Sequence, residues 1–392
     1  MADTNLKEVL KNITKSYGDN VVKVGVEQIK EKGTLSLGTP SLDFITYNSI
    51  PQGCFIEVTG QENSGKTLLA YLIARSYIQN EQIRNPDNPR KIVFIDNEYT
   101  ADPDWAMIST GYNMNDEKVP TIYITPQGQS MEEILSMAGS LANTGEVGLV
   151  IIDSLTSMAT EHTAGKDLMQ KEVMGGTAKT LGEFVRRYTG VFNANACTVI
   201  GINGSTMNIT GYGNPWTTSG GTYWKRACSL RLMVKKGALL DEDGNELKST
   251  AENPAGNLVE VALLKSKFCR SDRKLGVTHL YYSKGLDIIQ DTVDIAIYFG
   301  LIDNSSQGSY KLLDPDTKEV LLDDDGNEIK IRGKKNVKPY FEEHKEIFKR
   351  LYNKTYEMLS NKEDTNFTTF EKMFGVENIE EHLGINLDTL DQ

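Results

Sequence analysis

Residues 60–67 read Gly-Gln-Glu-Asn-Ser-Gly-Lys-Thr, a G-x-x-x-x-G-K-[ST] phosphate loop. An apolar run at 54–60 (CFIEVTG) precedes it and a helical stretch from about 66 to 80 follows. That strand-then-helix context is what the pattern requires. Gly60 and Gly65 let the backbone N–H groups around Gln61, Glu62, Asn63 and Ser64 turn inward on phosphate oxygens. The helix that starts at Lys66, Thr67 and Leu68 adds partial positive charge at its N-terminus. In such a loop Lys66 reaches the β- and γ-phosphates of ATP, and the Thr67 hydroxyl is a ligand for Mg²⁺.

Two acids fit the same chemistry. Asp153 ends the apolar run LVIID, where a carboxylate beside the phosphate loop suits the Mg²⁺ shell. The competing role there is a helix N-cap, by Asp153 or Ser154. Glu98 ends the run FIDNE and suits a general base that polarises the attacking water. Its competing role is an exposed acid at a strand end.

These residues need elements to hold them. Between residues 54 and 203 apolar runs alternate with helical stretches: CFIEVTG, KIVFIDNE, TIYIT, VGLVIIDS and CTVIGIN. Apolar strands alternating with helices predict an α/β core with a mostly parallel sheet. After a Gly-rich segment at 204–222, the runs RLMVKK, LVEVALLKSKF and THLYYS read as antiparallel strands that extend it. Residues 5–17 carry apolar positions at helical spacing and predict a short leading helix, docked on its own core or on a neighbouring subunit. The echo LLDEDGNELK (239–248) and LLDDDGNEIK (321–330) predicts two Asp-Gly turns; leucine at the first loop position excludes an EF-hand. Residues 339–359 predict one amphipathic helix in a small α+β C-terminal domain, ahead of a segment, 363–392, with eight acids against Lys372 alone.

The chain has 392 residues, 39% of them hydrophobic, and a net charge of −12. That balance argues against a simple basic DNA-coating protein, so nucleic-acid contacts need a local basic surface. The absence of a run of about 18 apolar residues excludes a membrane-spanning helix. The first residues lack a signal pattern, so a cytoplasmic protein is expected, in a host cell if the gene is a phage's. Cys54, Cys197, Cys228 and Cys269 are widely spaced, which fits reduced thiols.

The motifs GQENSGKT, FIDNEYTADPDW, LVIIDSL, GINGSTMNITGYGNPWTTSGG and LLKSKF occur in that order. With them the chain resembles the RecA family of strand-exchange ATPases over roughly residues 5–290. The resemblance implies a RecA-like P-loop ATPase core at 36–290, an N-terminal oligomerisation segment at 1–35 and a small C-terminal domain at 291–392. It implies that Glu98 activates water, that Asp102, Trp105 and Tyr282 surround the adenine, and that Lys265 and Lys267 reach the γ-phosphate held by the adjacent subunit. Two lysines at i and i+2 of a strand share a face. A solvated strand edge is the competing role for that pair.

DNA contacts are expected from two loops, around 161–179 and 204–222. The resemblance implies that Lys179 and Arg186 face DNA phosphates. Met174 and Tyr212 suit wedging or stacking on bases, and Gly213, Asn214, Gly220 and Gly221 allow close approach of backbone to phosphate. One departure stands out. The family glutamine after Asn203 is replaced by Gly204, so the nucleotide signal must travel through Asn203, Ser205 or another route. The expected function is an ATP-dependent recombinase that forms filaments on single-stranded DNA and pairs it with double-stranded DNA, with a mediator or single-strand-binding protein as a further partner. The alternatives are a hexameric DnaB-type helicase and a nucleotide-switched scaffold.

Overall fold

The computed structural model describes residues 6–17, 32–161, 175–207, 216–218, 220–306, 308–314, 317–323, 325–362 and 382, the side chains of 17, 206, 207, 216 and 217 aside. Nine strands form the backbone of one large sheet. In chain order they are β1 (Phe55–Gly60), β2 (Lys91–Asp96), β3 (Thr121–Ile124), β4 (Val147–Asp153), β5 (Thr198–Met207), β6 (Leu230–Leu240), β7 (Gly256–Ser266), β8 (Leu275–Tyr281) and β9 (Gly285–Leu286). Their spatial order is β9-β8-β7-β6-β1-β5-β4-β2-β3. Strands β3, β2, β4, β5, β1 and β6 run parallel, and β6 to β9 continue antiparallel. The short strands Trp216–Thr218 and Glu246–Leu247 pair with β5 and β6.

The helices are α1 (Leu6–Tyr17), α2 (Pro40–Thr46), α3 (Lys66–Arg84), α4 (Pro103–Thr110), α5 (Met131–Asn143), α6 (Gly176–Ala194), α7 (Gly221–Ala227), α8 (Ile288–Tyr298), α9 (Val337–Glu343) and α10 (Lys345–Leu359). β1 and β4 are buried along their whole length. Their side chains alternate between two apolar clusters: Ile56 and Val58 join the α3 side, whereas Phe55, Val150 and Ile152 join the α5 and α6 side. This period-2 division explains why the runs read as continuously apolar, since both faces of a parallel strand are covered. Phe55 meets Phe192 and Trp224 edge to face, with ring centroids 5.4 and 5.7 Å apart.

Helix ends follow from local chemistry. Ser130 and Glu133 close a capping box on α5, and Gly145 stands at φ 76° just past its end. The two echo segments make the same turn: Asp241 accepts the N–H groups of Asp243 and Asn245, and Asp323 those of Asp325 and Asn327. The single helix expected over 339–359 is instead two, α9 and α10. His344 leaves the helical region at φ −106°, ψ 61°. Its ring stacks on Tyr340 and its Nδ1 lies 2.8 Å from the Tyr340 carbonyl oxygen, so side chain and backbone converge on one acceptor.

In the C-terminal part the strands Ile302–Asp303, Ser309–Leu312 and Lys330–Arg332 form a small antiparallel sheet. Its buried residues join the same apolar cluster as the α3 face of the main sheet. On α1, Leu6 and Val9 are 69% and 37% exposed, whereas Leu10 and Ile13 are half-buried.

Candidate nucleotide site at the carboxyl ends of the parallel strands

The phosphate loop leaves β1 and enters α3. A Cβ on Gly60 would stand 2.3 Å from the Val234 carbonyl oxygen, and Gly65 sits at φ 100°, so glycine is needed at both for different reasons. Asn63 is also left-handed, at φ 57°. The Ser64 hydroxyl is buried and makes no hydrogen bond among the described residues. A buried, unsatisfied hydroxyl inside a glycine cradle at a helix N-terminus suits an incoming phosphate oxygen. Lys66 lies across the loop, its Nζ donating to the Gln61 carbonyl oxygen at 2.7 Å. Burial draws the Lys66 ammonium below its ordinary range, against the pull of Asp153, Glu98 and Glu62.

Three carboxylates gather beside it. Thr67 Oγ1 donates to Asp153 Oδ2 at 2.7 Å. Burial pushes Asp153 up to about 6, and the charges of Glu98 and Asp96 push the same way. Oxygen donors from Thr67 and Asp153, in a cluster short of positive charge, fit a hard divalent cation such as Mg²⁺. Among the described residues no group of three or more His, Cys, Asp or Glu forms a metal site of its own, so the remaining ligands would be phosphate and water.

Glu98 is aimed by its neighbours. Asp96 Oδ1 accepts the N–H groups of Glu98 at 3.0 Å and Tyr99 at 2.8 Å, and Oδ2 accepts that of Ala101 at 3.0 Å and the Tyr123 hydroxyl. The Asn97 N–H donates to the Asp153 carbonyl oxygen at 2.6 Å. Ser154, after the cis peptide bond Asp153–Ser154, donates its hydroxyl to Glu98 Oε1 at 2.5 Å. The structure therefore joins Thr67, Asp153, Ser154 and Glu98. Asp96 and Ser154 were missed as site residues; an acid two residues before Glu98 and a hydroxyl directly after Asp153 were the available signals.

The other expected residues are distributed as follows. Asp102 caps α4, its Oδ1 accepting from the Asp104 and Trp105 N–H groups. Trp105 is half-buried against the core, and Tyr282 donates to Asn257 Oδ1 at 3.0 Å. Asn203 is buried on β5, and its Nδ2 donates to Glu57 Oε1 at 3.0 Å. Lys265 donates to the carbonyl oxygens of Lys225 and Arg226, and Lys267 to those of Arg226 and Ala227. Both ammonium groups thus rest on the C-terminal end of α7, where the helix dipole favours cations.

Lys179 and Arg186 are exposed on α6. The Arg186 guanidinium lies 5.0 Å from the ring centre of Tyr223 on α7. Tyr223 is 57% exposed and was missed; an aromatic residue just after a Gly-rich segment was the signal. Gly220 and Gly221 belong to the start of α7 rather than to an open loop. They adopt φ 99° and 70°, and a Cβ on Gly221 would collide with Ala178. Met174, Tyr212, Gly213 and Asn214 lie outside the described residues.

A phosphate loop after the central strand, with acids at the ends of β2 and β4, defines a P-loop ATPase core. The RecA N-terminal domain family matches residues 4–287. The chain is 29% identical over 368 residues to Protein RecA of Mycoplasma mobile, covering 93% of this chain and 99% of that one. It is 28% identical over 348 residues to Protein RecA of Phytoplasma mali, covering 88% and 91%. Against Protein RecA of a Nitratiruptor species it is 28% identical over 361 residues, covering 90% and 93%. The chain belongs to the RecA family, and with it to the recombinases; the helicase alternative draws no support from these matches. Among the described residues no helix is long and apolar enough to cross a membrane.

Proposed function

We propose that this chain hydrolyses ATP with Mg²⁺ as part of a filament on single-stranded DNA, and couples that hydrolysis to pairing and exchange with double-stranded DNA. The observation that carries the reading is the junction of Thr67, Asp153, Ser154 and Glu98 at the mouth of a glycine cradle. The backbone N–H groups of 61–66 and Lys66 bind the phosphates. Thr67 and Asp153 would hold Mg²⁺, which supplies charge neutralisation on the phosphate oxygens. Glu98 orients a water in line with the γ-phosphorus and accepts its proton. The new bond runs from water oxygen to phosphorus, and the bond to the ADP oxygen breaks.

Lys265 and Lys267 complete the site in the adjacent subunit, leaving the α7 carbonyls to neutralise the γ-phosphate there. The exposed Leu6 and Val9 of α1 are covered by that neighbour. Asp102, Trp105 and Tyr282 form the adenine side, and Lys179, Arg186 and Tyr223 a local basic and aromatic surface for DNA. The division into 1–35, 36–290 and 291–392 belongs to the same reading.

Steady-state hydrolysis with and without single-stranded DNA tests it: DNA should stimulate turnover, and negative-stain images with ATP should show helical fibres. Rings, or turnover indifferent to DNA, would contradict it. Mixing Lys66→Ala subunits with Lys265→Ala/Lys267→Ala subunits should restore activity at mixed interfaces. No rescue, with both variants folded and assembling, would remove the shared site.

A further inference from the structure

We infer that the hydroxyls of Thr156 and Ser154 form a relay that positions the Glu98 carboxylate, which makes both of them positioning residues for hydrolysis. This rests on the reading of Glu98 as the water-activating group. The Glu98 side chain is exposed. A glutamate in that setting loses rotamer freedom when it is held in one orientation. Asp96 orders its backbone, but among the described residues only Ser154 donates to its carboxylate, at 2.5 Å. Ser154 is itself buried, so its hydroxyl is a fixed donor.

Proton bookkeeping gives the relay its direction. A serine or threonine hydroxyl has one proton to donate. That of Ser154 goes to the Glu98 carboxylate, the strongest acceptor within reach. That of Ser157 goes to the Ser154 carbonyl oxygen at 2.9 Å. Two contacts of Ser154 Oγ remain, to Thr156 Oγ1 at 3.2 Å and to Ser157 Oγ at 3.3 Å; with the Ser154 and Ser157 protons committed, the second has no proton and the first is a hydrogen bond through the Thr156 proton. The dipoles run head to tail from Thr156 through Ser154 to Glu98, an arrangement in which each bond polarises the next.

Thr156 also borders β5. A Cβ on Gly204 would stand 3.7 Å from Thr156 Oγ1. With no side chain at 204, nothing from that strand position competes for the Thr156 hydroxyl. The outer end of the relay therefore lies beside the strand that enters the Gly-rich segment.

The test is DNA-stimulated turnover of the full chain, with ATP affinity measured separately. Thr156→Val removes only a hydroxyl at an exposed position and should lower kcat about tenfold, since a small misplacement of a catalytic group is costly, while KM stays within about twofold. Thr156→Ser should restore turnover, and Ser154→Ala should lose more than Thr156→Val. On a Glu98→Asp background, whose shorter acid is withdrawn from Ser154, Thr156→Val should add no further loss. Wild-type kcat in Thr156→Val and Ser154→Ala, with Glu98→Gln inactive, would overturn the relay and leave Glu98 in its role. An active Glu98→Gln would overturn the role of Glu98 and the relay with it. A rise in KM without a fall in kcat, or a full multiplicative loss on the Glu98→Asp background, would assign Thr156 to binding or folding instead.

Discussion

Two polar clusters lie at and below the phosphate loop, and they differ in closure. Below it, Glu57 is fully buried and satisfied: Arg231 Nε donates to Oε2 at 2.6 Å, while Asn203 Nδ2 and Trp224 Nε1 donate to Oε1 at 3.0 and 3.2 Å. Charge is matched and water is excluded. At the loop itself, Asp153, Glu98 and Glu62 act on Lys66 while Asp96 adds its charge to Asp153, and burial raises Asp153 while lowering Lys66. A charge-matched network specifies a structure, whereas one left short of positive charge is shaped for a ligand that brings it.

The comparison breaks most sharply under substitution. Lys66→Ala should cut turnover by about a thousandfold or more, the cost of losing a preorganised charge at the transferring phosphate. Its thermal stability should fall little, because among the described residues the removed ammonium hydrogen-bonds only to a loop carbonyl. A Lys66→Ala variant that unfolded would make the upper cluster structural after all. Arg231→Met should do the opposite, destabilising the fold by about 3–5 kcal/mol because Glu57 keeps its charge without its ion partner. Denaturant unfolding reads this.

Replacing both members, Glu57→Met with Arg231→Met, should recover most of that loss, since an apolar pair of similar volume removes the buried charge. No recovery would mean that Asn203 and Trp224 depend on Glu57 more than the ion pair does. The smallest effect is expected at the DNA surface. Arg186→Ala should weaken single-stranded DNA binding by about 1 kcal/mol and lower its salt dependence by about one ion, while basal turnover holds. An unchanged salt slope would separate Arg186 from phosphate.

Much of the nucleotide site was legible in linear order. The loop 60–67, Asp153 and Glu98 each stand at the end of an apolar run, and parallel strands deliver their C-terminal ends to one edge of the sheet. The antiparallel extension through β6, β7 and β8 was legible from alternation. Less visible were contacts between residues far apart in sequence. Nothing in the linear order showed that Asn203 pairs with Glu57, 146 residues earlier. Gly220 and Gly221 looked like loop residues, yet they stand at the start of α7, Gly221 close against Ala178 and Gly220 against Leu181. The break at His344 was hidden because the apolar spacing of 339–359 runs through it, while the stacking on Tyr340 depends on ring orientation.

Composition, apolar periodicity and the spacing of glycines with Lys66 and Thr67 determined the α/β class and the phosphate loop, because these depend on neighbours along the chain. The destination of each polar side chain was decided only on folding. Whether Glu57 is a buried ion partner, whether Lys265 rests on a helix end and whether Ser154 reaches Glu98 all depend on which strands become adjacent. Hydrogen bonds and buried charges respond to distances of a few ångströms that linear order does not contain.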